Sequence, residues 1–194
     1  MGISKRYIVL SIVVLVGVIA IVGGVYAYGY YMNQKYEENF KLHYQAVTNA
    51  KIYFNDSYSD TKTYTNKQDW DASVNRSMIS FKKAIEYMNK SVYYDQQMVN
   101  YAPDGTHKQY AEGLLKVNQE QVKLFGLYLE YYNLIVWPNV ITNQTKADQL
   151  LSDINATLKN IETLNNEKDQ IKLLNPNLND QVQRLSNESS TAIT

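Results

Sequence analysis

The sequence predicts an all-α protein, an N-terminal transmembrane helix continuing into an antiparallel up-down bundle of four long helices plus a short C-terminal helix. Three observations lead there. Residues 7–32 carry no charged side chain and are dominated by Val, Ile, Leu and Gly. Beyond them, apolar residues recur every three or four positions, the periodicity of helices with one buried face. The Pro- and Asn-rich breaks in that pattern fall between the periodic stretches rather than inside them.

About 20 apolar residues cross a bilayer at 1.5 Å rise per residue, so the run from Tyr7 to Met32 spans with margin. Lys5 and Arg6 precede it, whereas Lys35, Glu37, Glu38 and Lys41 after it are mixed in sign. The positive-inside rule therefore expects residues 1–6 in the cytoplasm and the C-terminal part outside, in a single-pass cell-membrane protein. Tyr26, Tyr28, Tyr30 and Tyr31 form an outer aromatic belt, with Tyr7 at the inner face. A cleaved signal peptide is the alternative, since Val25-Tyr26-Ala27 offers small residues at the cleavage offsets. The run is longer than a usual signal core and favours a retained signal-anchor. Gly17, Ala20, Gly24 and Ala27 fall on one face at 3-4-3 spacing. They form either a membrane-helix dimer seam or only the Gly and Ala content common in membrane helices.

Residues 33–188 are expected to form the extracytoplasmic helical bundle, and 189–194 a disordered tail. Tyr36, Phe40, Tyr44, Val47 and Phe54 continue the first helix beyond the anchor. A second helix starts near Asp69, with a heptad-like, coiled-coil seam of Val74, Met78, Phe81, Ile85, Met88 and Val92. Ala102-Pro103-Asp104-Gly105 is a turn, since Pro fixes φ and Gly is permissive. The third helix carries Tyr110, Leu114, Val117, Leu124, Tyr128, Tyr131 and Ile135 on one stripe and stops at Pro138. The fourth begins after Asn143, a capping side chain, shows Leu151, Ile154, Leu158, Ile161 and Ile171, and ends at Asn175-Pro176. A short helix over about 179–186 follows. The layout resembles LemA-type proteins and the four-helix sensor domains of chemoreceptors. The Asp-Leu-Ile-Pro-Asn motif of the former is missing, as is the second membrane helix of the latter, so the resemblance implies layout alone.

Nineteen basic residues balance nineteen acidic ones, which is not the surplus that nucleic acid selects, so no nucleic-acid partner is expected. With no cysteine, thiolate metal sites and cysteine nucleophiles are excluded. His43 and His107 stand on different helices, as surface or boundary histidines that do not converge. No phosphate loop, serine elbow or H-E-x-x-H motif is present. The chain is therefore expected not to be an enzyme and to need no cofactor or metal. It reads as a scaffold or partner-binding module of the cell envelope, or alternatively as a sensor-like accessory subunit whose small-molecule ligand is unknown. A pocket lined by Tyr44, Tyr128 or Tyr131 would favour the second. Two features stand out. Six N-x-Ser/Thr sequons, at Asn55, Asn75, Asn89, Asn143, Asn155 and Asn187, exceed the roughly two or three that this composition produces by chance; they are either the mark of a glycoprotein or an accident of an Asn-rich chain. The segment Leu124 to Trp137 is apolar around most of its circumference. Either the last helix covers its outer side, or Phe125, Leu129, Tyr132 and Trp137 contact a protein partner or a second copy.

Overall fold

The computed structural model describes residues 5–58, 66–137 and 140–191; within the first helix, the side chains of residues 5–17, 19 and 58 lie outside that description. The described chain is all-α, with five helices packed in sequence order and one two-residue hairpin. Helix α1 runs unbroken from Lys5 to Tyr58, 54 residues, or about 80 Å at 1.5 Å per residue. The expected anchor thus passes into the bundle without a joint. Among the described residues no helix is long and apolar enough to cross a membrane. Nearly half of the anchor, residues 7–17 and 19, falls on side chains outside that set.

Three of the four later helices begin at a side-chain cap. Asn66 Oδ1 accepts from Asp69 N at 2.8 Å and starts α2, Lys67–Asn100. Asp104 Oδ1 accepts from His107 N at 2.9 Å and starts α3, Gly105–Tyr132. Asn143 Oδ1 accepts from Lys146 N at 3.0 Å and starts α4, Gln144–Leu173. These bonds satisfy amides that the first turn leaves without partners. Helix α5, Pro176–Thr191, opens on a proline, whose missing N–H costs nothing at a helix's first position.

The packing order is α1 on α2, α2 on α3 and α3 on α4, with α5 against both α1 and α4. Contacts from Gln181 to Asn33, Arg184 to Glu37, Lys41 to Glu188 and Ser190 to Tyr44 advance together along both helices, so α5 runs parallel to α1. It closes the α1/α4 side over the base of the bundle only. Two apolar clusters result. The basal one joins Tyr36, Phe40, Met98, Tyr110, Leu114, Leu178, Val182 and Leu185. The distal one joins Ala50, Ala84, Met88, Leu124, Phe125 and Ile154.

Four sequence expectations need correction. Helix α3 stops at Tyr132, so Ile135 is not on its stripe. Instead Ile135–Val136 pairs antiparallel with Val140–Ile141, because Pro138 cannot continue a helix and β-branched residues on both sides of it suit a hairpin. In α2 the most buried line is Ser73, Ser77, Phe81, Ala84, Met88, Ser91, Asp95 and Met98, while Val74, Met78, Ile85 and Val92 flank it. A helix pressed between two neighbours needs small residues along its centre line so that backbones can approach. In α4, Leu151 and Leu158 remain 41% and 42% exposed, and Ala147, Leu150, Ile154 and Thr157 are buried instead, since α3 is the main neighbour of the distal half. Finally, α5 begins three residues earlier than expected and reaches Thr191, with Ser189 buried and its hydroxyl donating to Leu185 O at 2.7 Å. Residues 189–191 therefore continue the helix; 192–194 lie outside the described set.

Candidate functional site

Between the two apolar clusters lies a closed polar layer formed by three helices. His43 of α1 is 7% exposed, Ser91 and Asp95 of α2 are both 0%, and Asn118 of α3 is 3%. Asn118 Nδ2 donates to Asp95 Oδ2 at 2.7 Å and lies 2.9 Å from Ser91 Oγ. His43 Nδ1 sits 3.1 Å from Ser91 Oγ and 2.6 Å from Asp95 Oδ1. That last approach is a close contact without hydrogen-bond alignment, ionic only when His43 is protonated, and among the described residues Oδ1 has no hydrogen-bond donor. A carboxylate with no solvent exposure is tolerated only with such partners. The layer binds α1, α2 and α3 to one another through these polar contacts.

A second network lies at the base. His107 Nδ1 is 2.8 Å from Asp104 Oδ1, and its Nε2 is 2.7 Å from Gln181 Oε1. Gln181 Nε2 donates to Glu37 Oε1 at 2.9 Å, and Arg184 Nη2 meets the same oxygen at 2.6 Å. The ring of Tyr36 stands edge-on to His107, with centroids 5.2 Å apart. Tyr36 is fully buried, its hydroxyl has no partner, and burial first, then Tyr110 and the acidic groups nearby, push its pKa far up. Partial burial alone would raise the Asp104 carboxyl, but the His107 backbone and ring hydrogen bonds hold it below its ordinary 3.8. Such a group adds stability above 3.8 and loses it as pH falls through the lowered folded-state value. Asp104→Ala should therefore cost about 1 kcal/mol at neutral pH, as lost caps do. The gap to the wild type should close in acid. Urea titrations at neutral and strongly acid pH measure it, and an equal gap at both would contradict the assignment.

The residues singled out from sequence do not converge on one site. His43 and His107 belong to separate networks, as expected, but His43 is buried rather than at the surface. Phe125 is 6% exposed and stacks on Phe54 with centroids 4.4 Å apart, so it is core and not free for a partner. Leu129, Tyr132 and Trp137 are half-buried, Tyr132 against Phe81 and Trp137 against Trp70. The cover over this segment comes from α2 and α4, with Phe54 of α1 reaching Phe125 and Tyr128, since α5 lies at the other end of the bundle. Tyr128 packs on Phe54 and Phe81. Open grooves instead lie between α3 and α4, one lined by Glu120, Lys123, Asp153, Thr157 and Asn160, the other by Gln109, Glu112, Lys116 and Lys168. Ala20, Gly24 and Ala27 are exposed, and nothing lies near a Cβ placed on Gly24; Gly17 is outside the described side chains. All six sequon asparagines are exposed. Among the described residues, no group of three or more His, Asp or Glu could hold a metal ion.

Sequence reasoning passed over Ser91, Asp95 and Asn118. The available signal was position: Asp95 falls seven residues after Met88 and three before Met98, a carboxylate on the buried line of α2. No family model, curated protein or solved structure matches this chain.

Proposed function

We propose that this chain is a non-catalytic, single-pass envelope protein whose helical bundle stands on the outer face of the membrane as a scaffold or partner-binding module. The observation that carries the reading is at the base of α1. Val18, Ile21, Val22, Val25, Tyr26, Tyr28, Tyr30 and Tyr31 are between 46% and 77% exposed, an apolar sleeve that the other described helices leave open except where Tyr101 meets Tyr31. Exposed apolar surface of that extent calls for a covering phase, and the uncharged run that contains it has the length of a bilayer span.

A second feature supports the same placement. Tyr101, at the α2–α3 turn, packs edge-on against Tyr31 at 6.1 Å. The parallel pairing of α5 with α1 sets its first residue, Pro176, near the level of Gly29. Leu173 and Leu174, just before it, are 67% and 77% exposed. Tyrosines and leucines thus gather at one level where the bundle turns, as an interfacial belt does. Because α1 is continuous, the bundle is held at a fixed angle to its anchor.

The absence of cysteine makes the test clean. Single-cysteine variants Ser4→Cys and Asn160→Cys are treated with a membrane-impermeant maleimide on intact cells, and membranes are then extracted with alkaline carbonate. Expected results are labelling at Asn160→Cys, none at Ser4→Cys, and retention in the membrane pellet. Release by carbonate, or the opposite labelling, would overturn the placement.

A further inference from the structure

We propose that, of the six sequons, Asn143 is the one that accepts an N-linked saccharide on the folded domain, and that the helices close the other five. The inference rests on the extracytoplasmic placement proposed above, because lipid-linked saccharides are transferred on that side of the membrane. Exposure of the asparagines alone does not separate the six. What separates them is the hydroxyl two residues on, which is part of what a transferase reads.

Residues i and i+2 of an α-helix point to nearly opposite sides. An amphipathic helix that exposes the asparagine therefore buries its hydroxyl partner. Ser57, Ser77, Ser91, Thr157 and Ser189, the partners of Asn55, Asn75, Asn89, Asn155 and Asn187, are all 5% exposed or less. Ser57 donates to Phe54 O at 2.5 Å, and Ser189 to Leu185 O. Ser91 belongs to the polar layer with Asn118. Presenting asparagine and hydroxyl on one side would require unwinding the helix and opening the core.

Asn143 differs on each count. It precedes α4 in extended backbone, φ −145° and ψ 96°, and both Asn143 and Thr145 are exposed. Its Oδ1 caps the helix through Lys146 N, and the amide nitrogen takes no part in that bond. In the transfer, Asn143 Nδ2 forms a bond to C1 of a saccharide carried on a lipid phosphate. The bond from C1 to the phosphate oxygen breaks, the lipid phosphate leaves with the electron pair, and one amide proton passes to a base of the transferase. The product keeps Oδ1 and one N–H, so the cap survives. The site lies at the end of the bundle away from the anchor, next to the β hairpin.

Full-length protein is purified from its own membranes and its peptides are sequenced by mass spectrometry. The expected result is a saccharide on the Asn143 peptide and bare peptides at the other five. Thr145→Val should remove it completely while leaving Asn143 to cap, and Thr145→Ser should restore it. A saccharide on any of the other five asparagines, or a bare Asn143 in a protein whose Asn160→Cys is labelled from outside, would overturn the proposal. Failure of Asn160→Cys to label would instead overturn the placement, and this inference with it.

Discussion

Replacing Asn118 with Leu should destabilise the folded chain by about 3 kcal/mol, the upper end of what leaving a buried polar group without its hydrogen bond costs. The side chains are similar in size, so packing changes little. What changes is Asp95, which is 0% exposed and receives its one aligned hydrogen bond from Asn118 Nδ2. Without it, the Asp95 carboxyl keeps only the close approach of His43 Nδ1. Adding Asp95→Leu should recover most of the loss, because no buried carboxyl is then left without its donor and His43 Nδ1 and Ser91 Oγ still pair at 3.1 Å. For a chain of this length the single change corresponds to a fall in Tm of about 6–12 °C. Thermal and urea unfolding of the full-length protein in detergent, followed by circular dichroism, gives both values. A loss under 1 kcal/mol, or no recovery in the double variant, would mean that the layer is not closed.

The same layer explains why the bundle has one register. Apolar helices can slide by a heptad and still match apolar faces. A seven-residue shift of α2 would set Asp95 where Met88 now lies, among Ala50, Leu124 and Ile154. A single buried polar layer excludes that alternative at a cost in stability, its best-attested use in helical assemblies.

The features legible in the sequence were those written in single residues or in a strong period. Asn143 marked the start of α4, Pro103 and Gly105 marked a turn, and the lack of breakers after Tyr30 foretold an unbroken α1. Features set by the neighbours of a helix were not legible. Apolar moment alone placed the seam of α2 on Val74, Met78 and Ile85, and missed that crowding from both sides would put serines on the centre line. That miss also hid the meaning of the sequons, two of whose hydroxyls, Ser77 and Ser91, are among those same central residues. The hairpin after Tyr132 was hidden because Ile135 fits either a helical stripe or a two-residue strand. The reach of α5 was underestimated because its polar composition conceals a narrow stripe of Leu178, Val182 and Leu185.

Replacing Phe81 with Ala should be the most damaging single change in the distal half, costing about 3–5 kcal/mol. Phe81 is 0% exposed, and its ring packs against Phe54 of α1 and Tyr128 and Tyr132 of α3, at centroid distances of 5.8, 6.4 and 5.1 Å. The cavity would open where three helices meet, and aromatic rings fixed by one another cannot collapse into it cheaply. The comparison that gives the result meaning is Trp137→Glu. Trp137 is half-buried against Trp70 beyond the last turn of α3, so its loss should leave the bundle folded and change stability by about 1 kcal/mol or less. If Phe81→Ala unfolds the chain at low urea and Trp137→Glu does not, the apolar segment after Leu124 is divided into a core reaching Tyr132 and a rim beyond it. Crosslinking of Trp137→Glu in native membranes then reads the rim alone: loss of a partner or homodimer band with the fold intact assigns it to binding. If instead Trp137→Glu unfolds the chain as readily as Phe81→Ala, the core runs to the hairpin, and the partner surface belongs elsewhere on the bundle.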